Sequence, residues 1–121
     1  MHLSVIIPAY NEERRLPGTL KEIDKYLRNQ NYQSEIIVVD GGSKDRTPEV
    51  VKEMGREIGN LKLLLVQNCS GKGQAVKEGM ASAGGDFRVF TDADNSTSID
   101  QVEKMWPWFE EKYDVVIGSR D

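Results

Sequence analysis

Glu35-Ile36-Ile37-Val38-Val39-Asp40 decides how this 121-residue chain folds. Its middle is an unbroken run of β-branched residues, which are stiff at χ1 and favour extended backbone. A half-buried strand alternates apolar with polar residues; a run with no polar interruption fits a strand of a parallel sheet covered on both faces. The run ends on a carboxylate and is followed by Gly41-Gly42-Ser43-Lys44-Asp45-Arg46-Thr47, a loop rich in turn formers.

Working outward, the same pattern recurs. Leu3-Ser4-Val5-Ile6-Ile7-Pro8 reads as a strand closed by proline, and Leu61 to Val66 and Phe87 to Thr91 as two more. Tyr113 to Ile117 reads as a fifth. Helical patterns separate them. Leu16, Leu20, Ile23, Tyr26 and Leu27 recur at three- and four-residue spacing, which marks one apolar helix face. Asn11 is expected to cap that helix, with Glu12 and Glu13 at its positive end. Thr47-Pro48-Glu49 opens the next, with Thr47 as cap; Val50, Val51, Met54 and Ile58 form its apolar face, and Gly59-Asn60 ends it. A third follows Gly71-Lys72-Gly73, with Ala75, Val76, Met80 and Ala83 inward. A fourth starts at Thr97 or Ser98 and is interrupted at Pro107. Strands alternating with helices across short connections predict an α/β fold: a doubly wound, mainly parallel sheet of about five strands with helices on both faces. No linker or repeat breaks the chain, so one domain over 1–121 is expected.

Composition excludes several classes. Hydrophobic content of 38% with 30% charged residues fits a globular chain rather than a disordered one. A net charge of -4 argues against general nucleic-acid binding. No apolar run approaches the roughly 20 residues needed to cross a bilayer, and Met1-His2-Leu3-Ser4 leads directly into a strand without a visible secretory signal. A single cysteine, Cys69, has no internal disulfide partner, which fits a reducing compartment. His2 precedes the first strand and is read as a surface residue.

In an open α/β sheet, ligands bind outside the carboxyl ends of the strands. That edge gathers the chemically unusual residues. The first loop carries Pro8, Ala9, Tyr10 and Glu12, the second Asp40 and Gly41, the third Lys72 between two glycines, the fourth Asp92 and Asp94, and the fifth Arg120. The opposite edge has plainer turns. Asp92 and Asp94, one residue apart after a strand, offer the hard oxygen ligands that Mg²⁺ or Mn²⁺ prefers, or they serve simple turn chemistry. Lys72 can meet a phosphate, Tyr10 can pack against a base or ribose, and Asp40 can either accept hydrogen bonds from a nucleoside or cap its own turn. Gly71-Lys72-Gly73 lacks the spacing of a Walker P-loop.

Val5-Ile6-Ile7-Pro8-Ala9-Tyr10-Asn11-Glu12, Val38-Val39-Asp40-Gly41-Gly42-Ser43-Lys44-Asp45-Arg46-Thr47, Gly71-Lys72-Gly73-Gln74-Ala75, Asp92-Ala93-Asp94 and Ile117-Gly118-Ser119-Arg120 resemble, in that order, the family-2 inverting glycosyltransferases with the A-type fold. The resemblance is strongest to the dolichyl-phosphate mannosyltransferase and glucosyltransferase branch. It implies a GDP- or UDP-hexose donor, a polyprenyl-phosphate acceptor and a divalent cation. It implies that Pro8, Ala9, Tyr10, Glu12, Asp40 and Gly41 border the nucleoside. Asp92 and Asp94 are then the catalytic, metal-holding carboxylates, Lys72 lies near the nucleotide, and Arg120 near a donor or acceptor phosphate. Gly41 departs from the family pattern, which has a second aspartate there, so base choice is open. Relatives continue past the Gly-Ser-Arg motif, so a longer parent protein is expected, at the cytoplasmic face of a membrane through segments outside this chain; a homodimer through an open sheet edge fits as well. Two other readings remain: a nucleotide-sugar binding module without turnover, and a nucleotidyltransferase, which would want a basic glycine-rich loop after the first strand.

Overall fold

The structure, a computed structural model, describes residues 2–67, 71–85 and 87–91, with Lys72 by its backbone. Strands β1 (His2–Ala9), β2 (Gln33–Asp40), β3 (Leu61–Leu65) and β4 (Phe87–Phe90) alternate with helices α1 (Leu16–Arg28), α2 (Thr47–Met54) and α3 (Lys72–Ser82). The described strands form one four-stranded sheet in the order β3-β2-β1-β4. All pairings are parallel: Ile6 lies beside Ile37 of β2 and beside Phe90 of β4, and Ile37 lies beside Lys62 of β3. The chain steps outward from β1 to β2 to β3, then returns to the other flank of β1 with β4. The expected doubly wound sheet is therefore present. The expected fifth strand and the helix interrupted at Pro107 lie outside the described residues.

Alternation along the strands divides the core. Leu3, Val5, Ile7 and Ala9 point to one face and pack with Leu16, Leu20, Ile23 and Leu27 of α1 and Val51 of α2. Ile6, Ile37 and Val39 point to the other and pack with Ala75 of α3 and Ala83 just beyond it. Helices thus cover both faces, as the uninterrupted apolar strands require. On the second face α3 approaches closely because Gly79 has no side chain. A Cβ there would lie 2.5 Å from Ile6 Cγ2 and 2.9 Å from Val39 Cγ2.

The amino edge of the sheet is tied by a buried carboxylate. Glu35 is 4% exposed. Its Oε2 accepts the Ser4 hydroxyl (2.5 Å) and the Gly84 N–H (2.7 Å), and its Oε1 accepts Lys62 Nζ (2.9 Å). The Ser4 hydroxyl oxygen in turn accepts the Gly85 N–H (2.9 Å). Burial pushes the Glu35 carboxyl up, but the hydrogen bonds from Ser4, Lys62 and Gly84 and the Lys62 charge outweigh it and bring it down to about 2. The carboxylate thereby fastens the turn before β4 to β1, β2 and β3. Gly85 fits only as glycine: a Cβ there would meet Ser4 Oγ at 2.6 Å and the His2 carbonyl and Ser4 nitrogen at 2.9 Å. His2 lies at this edge, away from the loops that carry the unusual residues.

Three helix boundaries differ from the sequence reading. Asn11 does not cap α1, which begins at Leu16 with Arg15 in the cap position and a proline in the first turn. Thr47 does not cap α2 either; Arg46 holds the cap position without a side-chain cap bond, and the Thr47 N–H donates to Asp45 Oδ1 (2.9 Å). Helix α2 ends at Met54 rather than near Gly59. Ile58 nevertheless stays buried, because its N–H bonds the Met54 carbonyl (2.9 Å) in the turn that follows. Asn11 and Thr47 are drawn away from capping by partners in the loops at the carboxyl edge.

Candidate functional site

The strand order reverses between β1 and β4, so the ligand crevice of this sheet class falls outside their carboxyl ends. Pro8 sets how far these strands pair. The Gly41 N–H bonds the Ala9 carbonyl (3.0 Å) from the β2 side, and the Thr91 N–H bonds the Ile6 carbonyl (3.0 Å) from the β4 side. Residues two apart in a strand turn their peptide groups to the same side, so residue 8 faces β4 with residue 6. Proline has no N–H, and the next bond of the β1–β4 ladder cannot form. Among the described residues the last bond of this ladder joins Thr91 and Ile6, one residue before Asp92 in the sequence.

Beyond the strand ends, Tyr10 is 52% exposed, one of two large hydrophobics exposed among the described residues; the other is Leu65, at the end of β3. Asp40 is 3% exposed, beside Ala9 in register and one residue before the half-buried Gly41. Its carboxylate is engaged in its own loop. Oδ2 accepts the Gly42 and Ser43 N–H groups (3.3 and 3.2 Å), and Oδ1 accepts the Ser43 hydroxyl. Gly42, with φ of 96°, takes the left-handed conformation this wrap requires. Of the two uses of Asp40 open from sequence, the turn cap is thus present in the structure.

The loops after β1 and β2 are joined by two relays of the same form. The Asn11 N–H donates to the Ser43 hydroxyl oxygen (2.8 Å), and that hydroxyl donates to Asp40. The Glu12 N–H donates to Thr47 Oγ1 (2.9 Å), and that hydroxyl donates to Asp45 Oδ1 (2.5 Å). Two further bonds reinforce them, Glu13 N–H to Asp45 Oδ2 (3.2 Å) and Lys44 N–H to Asn11 Oδ1 (2.8 Å). Asn11 adopts φ of 54°, a conformation that asparagine tolerates better than most residues. Partial desolvation pushes the Asp45 carboxyl up, but the bonds from the Thr47 hydroxyl and from the Thr47 and Glu13 N–H groups hold it below the usual carboxylate range. Sequence reading gave Asn11, Ser43, Asp45 and Thr47 no role in holding two loops together. The available signal was their spacing: hydroxyls two residues either side of one acid, on the loop beside an asparagine.

Helix α3 starts on the same edge. Gly71, with φ of 125°, occupies its cap position without a side-chain cap, and the backbone of Lys72 and Gly73 forms the first turn. The helix dipole makes such a turn favourable for anions. The structure therefore brings Pro8, Ala9, Tyr10, Glu12, Asp40, Gly41 and the start of α3 to one edge. Asp92, Asp94 and Arg120 lie outside the described residues.

This arrangement matches known proteins. The family model described as "Glycosyl transferase family 2" matches residues 4–121. The chain is 38% identical to a dolichyl-phosphate β-glucosyltransferase of Trichomonas vaginalis, over 99% of this chain and 40% of that protein. It is 40% identical to the dolichyl-phosphate β-glucosyltransferase of Homo sapiens, over 85% of this chain and 34% of that one. Among solved structures, S. aureus TarS in complex with UDP-GlcNAc superposes with a TM-score of 0.72 at 28% identity, over 92% of this chain and 32% of TarS. The mannosyltransferase PcManGT from Pyrobaculum calidifontis, in complex with GDP-Man and Mn²⁺, superposes with a TM-score of 0.63 at 34% identity, over 76% of this chain and 27% of that one. The chain thus spans at most 40% of the length of these relatives. With its strand order, its loop cluster and a family match over nearly its whole length, the chain belongs to glycosyl transferase family 2.

Proposed function

We propose that this chain is the donor-binding part of an inverting, metal-dependent glycosyltransferase that moves a hexose from a nucleoside-diphosphate sugar to a polyprenyl phosphate. The observation that carries the reading is the gathering of Tyr10, Asp40, Gly41 and the first turn of α3 at the carboxyl edge, beside the switch in strand order. The relatives support the class of donor and acceptor. Tyr10 offers an exposed ring to the base, and Gly41 leaves open the place where the family pattern has a second carboxylate. The start of α3, with Lys72, favours the diphosphate electrostatically.

Asp92 and Asp94 offer carboxylate oxygens, a donor set that suits Mg²⁺ or Mn²⁺, and these residues would hold the ion. Such a cation, when bound, stabilises negative charge on a departing diphosphate. Arg120 adds a guanidinium suited to a phosphate. The acceptor oxygen attacks the anomeric carbon from the face opposite the leaving group, which inverts that centre. A phosphate acceptor is already anionic at neutral pH, so this chain needs no general base for the attack. A cytoplasmic site at a membrane surface suits a lipid acceptor of this kind.

The test is incubation of the chain with UDP- or GDP-hexose, Mn²⁺ and dolichyl phosphate, with the product's anomeric configuration read by NMR. Glycosyl lipid of inverted configuration is the expected product, and one of retained configuration would overturn the proposal. Because the chain spans 40% or less of its relatives, a second reading is a nucleotide-sugar binding unit without turnover of its own. Donor binding with no product would favour that reading.

A further inference from the structure

The two relays do more than close a surface loop. Each starts at a backbone N–H just after Tyr10, passes through a hydroxyl of the neighbouring loop, and ends on a carboxylate. The Asn11 relay ends on Asp40, so the loop that carries the exposed tyrosine is coupled, through one hydroxyl, to the buried acid at the end of β2. Asn11 holds both sides of this junction. Its N–H donates to Ser43, its Oδ1 accepts the Lys44 N–H, and its backbone sits at φ of 54°. A non-glycine residue in that region persists when its surroundings fix it, and such residues gather at functional sites. Side chains held before a ligand arrives lower the ordering cost of binding.

We infer that Asn11 and Ser43 are positioning residues for the sugar donor, holding Tyr10 and Asp40–Gly41 as one preformed ledge for the nucleoside. The inference rests on the donor-binding function proposed above. Neither residue need touch the donor. Asn11 fixes the direction in which the chain leaves β1, and Ser43 fixes the loop that wraps Asp40.

Calorimetric titration of UDP and of GDP, with Mn²⁺, into the full chain and its variants tests this, alongside the melting temperature of each protein without ligand. Asn11→Gly keeps the left-handed backbone and removes the Oδ1 acceptor. Asn11→Asp keeps both, and Ser43→Ala breaks the relay at its middle. Without one of these bonds the ledge is assembled in a smaller share of the free molecules, and a share of about one fifth weakens the apparent affinity about fivefold. Asn11→Gly and Ser43→Ala are expected to bind the preferred nucleotide about fivefold more weakly than the parent chain. Asn11→Asp is expected to stay within about twofold of it, and the unliganded melting temperature of Asn11→Gly to stay near the parent's. Undiminished affinity in Asn11→Gly overturns the inference, and so does an equal loss in Asn11→Asp. A loss of affinity matched by a large fall in unliganded melting temperature makes the role one of stability alone and overturns it too. Binding of neither nucleotide by the parent chain removes the proposed function itself, and the inference with it.

Discussion

Glu35→Gln should destabilise the fold at neutral pH and hardly at all in acid. The Glu35 carboxyl is lowered from 4.5 to about 2 by hydrogen bonds from Ser4, Lys62 and Gly84 that outweigh its burial. A difference of that size between folded and unfolded chains is worth about 3 kcal/mol at neutral pH. The folded value is the lower one, so the contribution is present in full above the unfolded value and is lost as pH falls through the folded value. It is nearly complete at about pH 5, roughly half gone near pH 3, and mostly gone by about pH 2. Gln keeps one acceptor oxygen but turns an NH₂ group toward donors, so at least one of Ser4, Gly84 and Lys62 loses its partner. Gln can keep its oxygen on Ser4 and Gly84 and turn its NH₂ toward Lys62, which is 65% exposed and returns to water at little cost, so the loss is chiefly that of the negative charge those buried hydrogen bonds favour. Urea unfolding of both proteins from pH 7 to pH 2.5 measures the gap directly. We expect about 3 kcal/mol at pH 7, shrinking steadily below pH 5. A gap that is the same at every pH would show that the Glu35 charge contributes nothing and that the cost is one of shape.

Other substitutions test the packing. Gly85→Ala drives a methyl group against the Ser4 hydroxyl and the His2 carbonyl, and should destabilise by about 1–3 kcal/mol in denaturant titration. A neutral result would mean that the turn before β4 is free to move. Gly79→Ala pushes α3 off Ile6 and Val39, with a similar cost of about 1–3 kcal/mol by the same measurement. Pro8→Ala restores an N–H on the β4 side of β1. That amide should exchange slowly with deuterium, as a new rung beyond the Thr91–Ile6 bond; exchange at the rate of an open loop would refute the ladder argument.

The strands were legible because uninterrupted apolar runs have one comfortable home, a parallel sheet covered on both faces. The helices were legible as periodic faces, and their ends were not. Ile58 continues the spacing of Val51 and Met54 although the helix has stopped, because a turn with an i to i−4 bond keeps it in phase. Asn11 and Thr47 each precede an apolar periodic stretch and so looked like caps. The partners that join the two loops sit more than 30 residues away, and the only local trace of them is the spacing of Ser43 and Thr47 around Asp45. Glu35 opened a strand without remark for the same reason: Ser4, Lys62 and Gly84 come together only in the folded sheet. The site was legible to the extent that chemistry clusters at one edge. Tyr10, Asp40, Gly41 and the start of α3 arrive there as read from the sequence, whereas the wrapping of Asp40 by its own loop needed coordinates.

In the proposed function, acidic side chains after β4 and the edge built by the first three loops together bind a nucleoside diphosphate through a divalent ion. Calorimetry of UDP and GDP binding, with and without Mn²⁺, to the parent chain and to Asp92→Asn/Asp94→Asn tests it most directly. Metal-dependent binding of at least one nucleotide is expected, abolished in the double variant. Binding that ignores both the metal and the substitutions, or no binding to the parent chain at all, would contradict it.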